Sequence, residues 1–187
     1  MALLVAAAGR SVQTVAFAIY GVSLILMYLA SGVYHAARVS AERLQVLRRF
    51  DHAAIYLLIA GTYVPLCVIG LRGTWGWSLL IAEAAMAVVG VVAAFAFKGG
   101  PGALRASLYV AMGWLVVIAL KPLSEGLSRE GVHWLFAGGV VYTVGAVVYA
   151  TERPKLWPGR FGAHDLWHLF VIGGTYCHYV VVRSYLS

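Results

Sequence analysis

The chain has 187 residues, of which 62% are hydrophobic and only 11% charged. A soluble domain is about 25% charged, so the composition excludes an ordinary water-soluble enzyme and points to a membrane protein with room for one bundle. The formal charge of +7 is spread over short connections and forms no basic stripe or arm, which argues against nucleic acid and for orientation in a bilayer.

Residues 1–8 are apolar but too short to cross, since a spanning helix needs about 20 residues. No basic residue precedes them, as one would in a secretory leader, so they read as a stub, the end of a helix. Six apolar stretches are long enough to span: 12–35, 51–71, 75–97, 106–122, 132–150 and 164–185. The first ends in Ser31-Gly32-Val33-Tyr34-His35. The second opens on Asp51 and His52 and contains Pro65, which has no N–H for residue 61, itself a glycine, so a kink is predicted there. Glu83 lies deep in the third stretch. The sixth opens with His164-Asp165-Leu166-Trp167-His168 and carries His178 well inside. Cys67 and Cys177 sit within apolar runs and read as small core residues rather than a disulfide framework.

Orientation follows from the basic residues. The connections after the first, third and fifth stretches carry Arg38, Arg43, Arg48, Arg49, Lys98, Arg105, Arg153, Lys155 and Arg160, nine of the fourteen Lys and Arg. The other side has Arg10, Arg72, Lys121, Arg129 and Arg183. Positive residues stay cytoplasmic, so the first stretch runs inward and the C-terminus is expected outside. His35, Asp51, His164 and His168 are then expected at one depth, near the cytoplasmic face.

Ionisable groups in a membrane are expensive and read as functional by default. His164 and His168 are i,i+4 and share a helix face, as do Ser31 and His35. Three imidazoles with an open position form a catalytic type of zinc site. Asp51 would act as base toward a water there, and Ser31 would orient it or its carboxylate. Other readings stay open. Asp51 also suits a helix N-terminus, where a carboxylate favours the macrodipole. His-Asp-x-x-His imitates the His-Glu-x-x-His of zinc proteases, with Asp165 as base; Asp165 equally suits a helix start. His52 points about 100° away from Asp51 and reads as a packing or interface residue. Glu83 and His178 form a candidate deep polar pair, with separate solvation as its alternative.

Three stretches are long and specific: Ser31 to His35, Asp51-His52-Ala53-Ala54-Ile55-Tyr56-Leu57-Leu58-Ile59-Ala60-Gly61-Thr62-Tyr63-Val64-Pro65, and His164 to His178. With them the chain, from residue 12 almost to its end, resembles the hemolysin III family, the bacterial branch of the progestin and adipoQ receptors. The resemblance implies a seven-helix bundle with cytoplasmic zinc. It places the zinc histidines on His35, His164 and His168, a water-holding aspartate on Asp51 and a helix serine on Ser31. The family's first helix is absent here except for the stub. The expected fold is therefore an all-α, polytopic transmembrane bundle in the bacterial plasma membrane, six full spans plus that stub. Ceramidases in the wider superfamily suggest a Zn2+-dependent hydrolase acting on a lipid amide or ester. The family name points instead to a pore-forming haemolysin, or to a receptor-like protein with structural zinc. On either reading a membrane lipid is the expected substrate or ligand.

Overall fold

The computed structural model describes residues 11–97, 102–154, 157 and 162–186. The stub at 1–8 and Arg10, Lys98, Lys155 and Arg160 of the charge comparison lie outside them. Among the described residues every regular element is a helix. In chain order these are α1 (Ser11–Ala36), α2 (Ala41–Pro65) continued by a π-helix (Leu66–Leu71), α3 (Gly73–Ala96), α4 (Gly102–Trp114) continued by a 3-10 turn (Leu115–Ala119), α5 (Leu120–Gly126), α6 (Arg129–Thr151) and α7 (Ala163–Tyr185). Five segments are long and apolar enough to cross a membrane: Ser11–Ala36, Ala41–Leu71, Gly73–Ala96, Leu104–Gly126 and Arg129–Thr151. Helix α7 is also 23 residues long but carries the polar groups of interest. The outward faces are apolar: Ile81, Val88, Val89 and Val92 on α3 are each more than half exposed. A water-soluble monomer rarely shows so continuous an apolar face, so these side chains belong against lipid.

The described helices form two compact units, α1 to α3 and α4 to α7. In the first, α1 buries Ala16, Phe17, Tyr20, Ser23 and Met27, a stripe at three- and four-residue intervals that faces α2. Helix α2 begins ten residues before the apolar stretch that marks it in the sequence. Arg43, Arg48 and Arg49 are therefore helical rather than in a connection. Asp51 sits well inside the helix, so the macrodipole explanation of its position, which holds only for the first turn, falls away. Arg49 donates from Nη1 to the Phe95 carbonyl at 3.2 Å. That carbonyl is in the last turn of α3, where acceptors lack helical partners and a cation is favoured.

Pro65 does not break α2. Where it withholds a donor, the helix passes into a wider ladder, in which the Arg72 N–H reaches Cys67 O, five residues back, at 2.8 Å. Arg72, at φ 55, ends it, and its Nε donates to Ile69 O at 2.8 Å. Helix α3 then starts hard against this segment: a methyl group on Gly76 would collide with the Cys67 carbonyl. Both cysteines are free and buried.

In the second unit the span interrupted by the 3-10 turn resumes as α5 with Pro122 in its first turn, where a missing N–H costs nothing. Helix α6 is capped by Ser128 Oγ, which accepts from Gly131 N at 3.2 Å. Its contact with α7 runs along Gly131, Gly138 and Gly145, at seven-residue intervals. Gly138 takes the ring of His178, Gly145 takes Phe170 and Trp167, and on α7 Gly174 takes Tyr142. Small residues that let membrane helices approach are the usual means of close packing where no hydrophobic force operates between them. Valine at Gly138 is expected to lower the thermal unfolding midpoint in detergent by several degrees, since overpacking costs about 1–3 kcal/mol. Gly21→Ala, where nothing lies within 4 Å of the added carbon, is expected to leave the midpoint unchanged or slightly raised. Equal midpoints for the two variants would refute the close-packing argument.

Candidate metal centre

Each unit carries its own set of polar residues. In the first, His35 lies in the last turn of α1, with Ser31 one turn before it on the same face. Across from them on α2 is Asp51, only 9% exposed. The Ser31 hydroxyl is hydrogen-bonded to the Asp51 carboxylate, and His35 and Arg48 lie within electrostatic reach of it. Arg48 is absent from the sequence-based set. Its i,i+3 relation to Asp51 is the signal that finds it.

In the second unit His164 and His168 occupy the first turns of α7. Their Nε2 atoms are 3.2 Å apart and the rings stand at 90°. Tyr149 of α6 packs beside both His164 and Trp167. The nitrogen separation is a test of fit for a metal. Two imidazole nitrogens at about 2.0–2.1 Å from a tetrahedral zinc are about 3.3 Å apart. The pair is therefore spaced for one ion. His35 and His164 are exposed and His168 is half-buried.

The remaining sequence candidates separate by their partners. Asp165 Oδ2 accepts from the Gly162 N–H at 2.8 Å. It is turned back to cap α7, which removes the acid that a zinc-protease reading of His164 to His168 requires. His52 is half-buried on α2. Glu83, in the middle of α3, is fully buried, and neither carboxylate oxygen has a hydrogen-bond partner among the described residues. In the second unit, His178 Nε2 donates to Leu135 O at 3.3 Å, and its ring meets that of Tyr142 edge-on at 5.3 Å. The Tyr142 hydroxyl in turn is 2.7 Å from Thr175 Oγ1. These second-unit partners of His178 are on α6 and α7 and are not deducible from the spacing of acids and histidines alone.

Several long apolar helices, with histidines at helix ends in each unit and a buried carboxylate inside α2, define a multi-pass helical membrane protein with metal-ligating potential. The chain matches the family described as Haemolysin-III related over residues 1–179, and it belongs to that family. It is 40% identical over 179 residues to Hemolysin-3 of Bacillus cereus, across 95% of this chain and 78% of that one. To the Hemolysin-3 homolog of Bacillus subtilis (strain 168) it is 38% identical over 177 residues, 95% of this chain and 80% of the relative. A more distant relative is the adiponectin receptor protein of Drosophila melanogaster, 28% identical over 156 residues, 75% of this chain and 35% of that protein. The family match begins at residue 1 rather than residue 12, so the apolar segment 1–8 belongs to the shared sequence.

Proposed function

We propose that this chain binds zinc through His35, His164 and His168 and hydrolyses an amide or ester of a membrane lipid. The observation that carries the reading is Asp51: a nearly buried carboxylate held by Ser31 beside one of the histidines. A purely structural metal site is closed by its ligands and has no use for a further acid oriented next to one of them. Three nitrogen ligands leave a position open. Bound zinc would supply Lewis acidity at neutral pH, polarising a carbonyl and acidifying water.

The protein's own groups then have distinct tasks. Asp51 accepts one proton from the attacking water as the new C–O bond forms. It returns that proton to the leaving nitrogen or oxygen as the C–N or C–O bond breaks, so acid and amine or alcohol are released and Asp51 is regenerated. Ser31 holds the carboxylate in one orientation and is a positioning residue. Arg48 offsets the carboxylate's charge. The excess of arginine and lysine on the same side supports placing this chemistry near the cytoplasmic face of the plasma membrane, with the C-terminus outside.

The name Hemolysin-3, borne by the Bacillus relatives, favours a second reading, in which the protein forms a pore and zinc is structural. One reconstitution separates the two. In zinc-loaded liposomes that carry lipid amides and esters and an entrapped dye, the wild-type protein is expected to release fatty acid while the dye stays inside. Dye release with every lipid left intact would overturn the hydrolase reading in favour of the pore.

A further inference from the structure

The segment that opens with α2 is longer than a membrane core is thick. The continuous segment Ala41–Leu71 is 31 residues long, about 45 Å at 1.5 Å per residue, against a hydrocarbon core of about 30 Å. Two contacts fix where α2 passes the end of its neighbour. Arg49 donates to the Phe95 carbonyl at 3.2 Å, and the rings of Phe50 and Phe95 meet edge to face with centroids 5.0 Å apart. Helix α3 ends one residue later, at Ala96. Ala41 to Arg48 therefore project beyond it, by about 12 Å of helix.

The projecting part is amphipathic along one line. Arg43, Val46 and Phe50 are related by i, i+3 and i+7 and share a face. Val46 is 47% exposed and Phe50 53%, and Arg43 is exposed at the outer end of the line. Phe97, 72% exposed, adds a second aromatic at the level where α3 stops, the depth at which aromatic rings meet headgroups. Arg38, in the connection just before α2, is also exposed, and Glu42 is the one acid among these residues. Arg48 and Arg49 are engaged elsewhere, beside Asp51 and on Phe95.

We propose that this edge of α2 binds an anionic phospholipid, with its acyl chains starting at Phe50, its glycerol backbone beside Val46 and its phosphate at Arg43, supported by Arg38. Each half of that ligand is matched. The planar guanidinium fork suits phosphate oxygens, and the apolar line continues inward from it through Val46 to Phe50, at the level where α3 ends. An acidic protein would leave the line from Val46 to Phe50 uncovered.

The test is lipid retention. The full chain, reconstituted into bilayers of equal phosphatidylglycerol and phosphatidylcholine, is extracted gently, and the lipid that stays with it is quantified by mass spectrometry. Phosphatidylglycerol is expected in clear excess. Neutralising one arginine near the membrane surface should cut that excess about fivefold, so Arg43→Gln is expected to lose most of it and Arg43→Lys to keep part. High salt should weaken the preference in the wild type. Arg43 is exposed, so its variants are expected to unfold at the wild-type temperature. Equal retention of the two lipids by the wild type, or an undiminished preference in Arg43→Gln, would overturn the proposal. The arginines would then serve orientation alone or an acidic protein surface.

Discussion

His168→Ala is expected to leave the purified protein without zinc, where the wild type holds about one ion per chain by elemental analysis. The expectation comes from the number of donors. A site of three nitrogens loses a third of its protein ligands, and the partner His164 is left as a single monodentate donor with no chelate on α7. The 3.2 Å separation of the two Nε2 atoms suits two donors to one ion. His35→Ala is expected to behave alike, although it alters a different helix. His178→Ala is expected to keep its zinc, because that imidazole is committed to the Leu135 carbonyl. Full zinc content in either His35→Ala or His168→Ala would remove the assignment.

The second large effect is expected at Asp51. Asp51→Asn keeps the shape of the side chain and an oxygen for the Ser31 hydroxyl, but its amide cannot take a proton from water. Loss of a positioned general base lowers the rate by about 10²–10⁴-fold, so lipid hydrolysis should fall by that factor while zinc content stays near one per chain. Ser31→Ala leaves the base in place and loosens it; a smaller drop is expected, with the dependence of rate on pH displaced rather than abolished. If Asp51→Asn retains hydrolysis within about tenfold of the wild type, the carboxylate is structural and the catalytic assignment fails. Measuring zinc in the same samples separates that result from simple loss of the metal.

Much of this site is readable from the sequence because helical spacing fixes faces. Ser31 with His35, and His164 with His168, must be neighbours at i,i+4 on any helix. The structure adds what spacing does not carry. Asp51 looks like the start of a helix because hydropathy drops sharply before it. The residues from Ala41 to Phe50 are helical all the same, with Leu44, Val46 and Leu47 interleaved with arginines. A search for continuous apolar runs sees only the buried part of such a helix. Pro65 signals a missing donor but not its remedy, since a kink and a π-helix both accommodate it. Asp165 is the opposite case. Its distance from Gly162 is that of a capping carboxylate, and the cap takes its oxygen. The proposal that His35 joins the α7 pair draws on the family pattern, because no spacing rule relates residues so far apart in the chain.

The two-unit packing has a consequence for biogenesis. The main helix contacts join α1 to α2, α2 to α3, α4 to α6, and α6 to α7, each a pair of near neighbours along the chain. A nascent polypeptide leaves the ribosome in that order. The α1–α3 unit can therefore complete its internal packing at the translocon while α6 and α7 are still being synthesised. The Asp51–Ser31 contact lies within that unit, so the costly carboxylate can be hydrogen-bonded before the α7 histidines emerge.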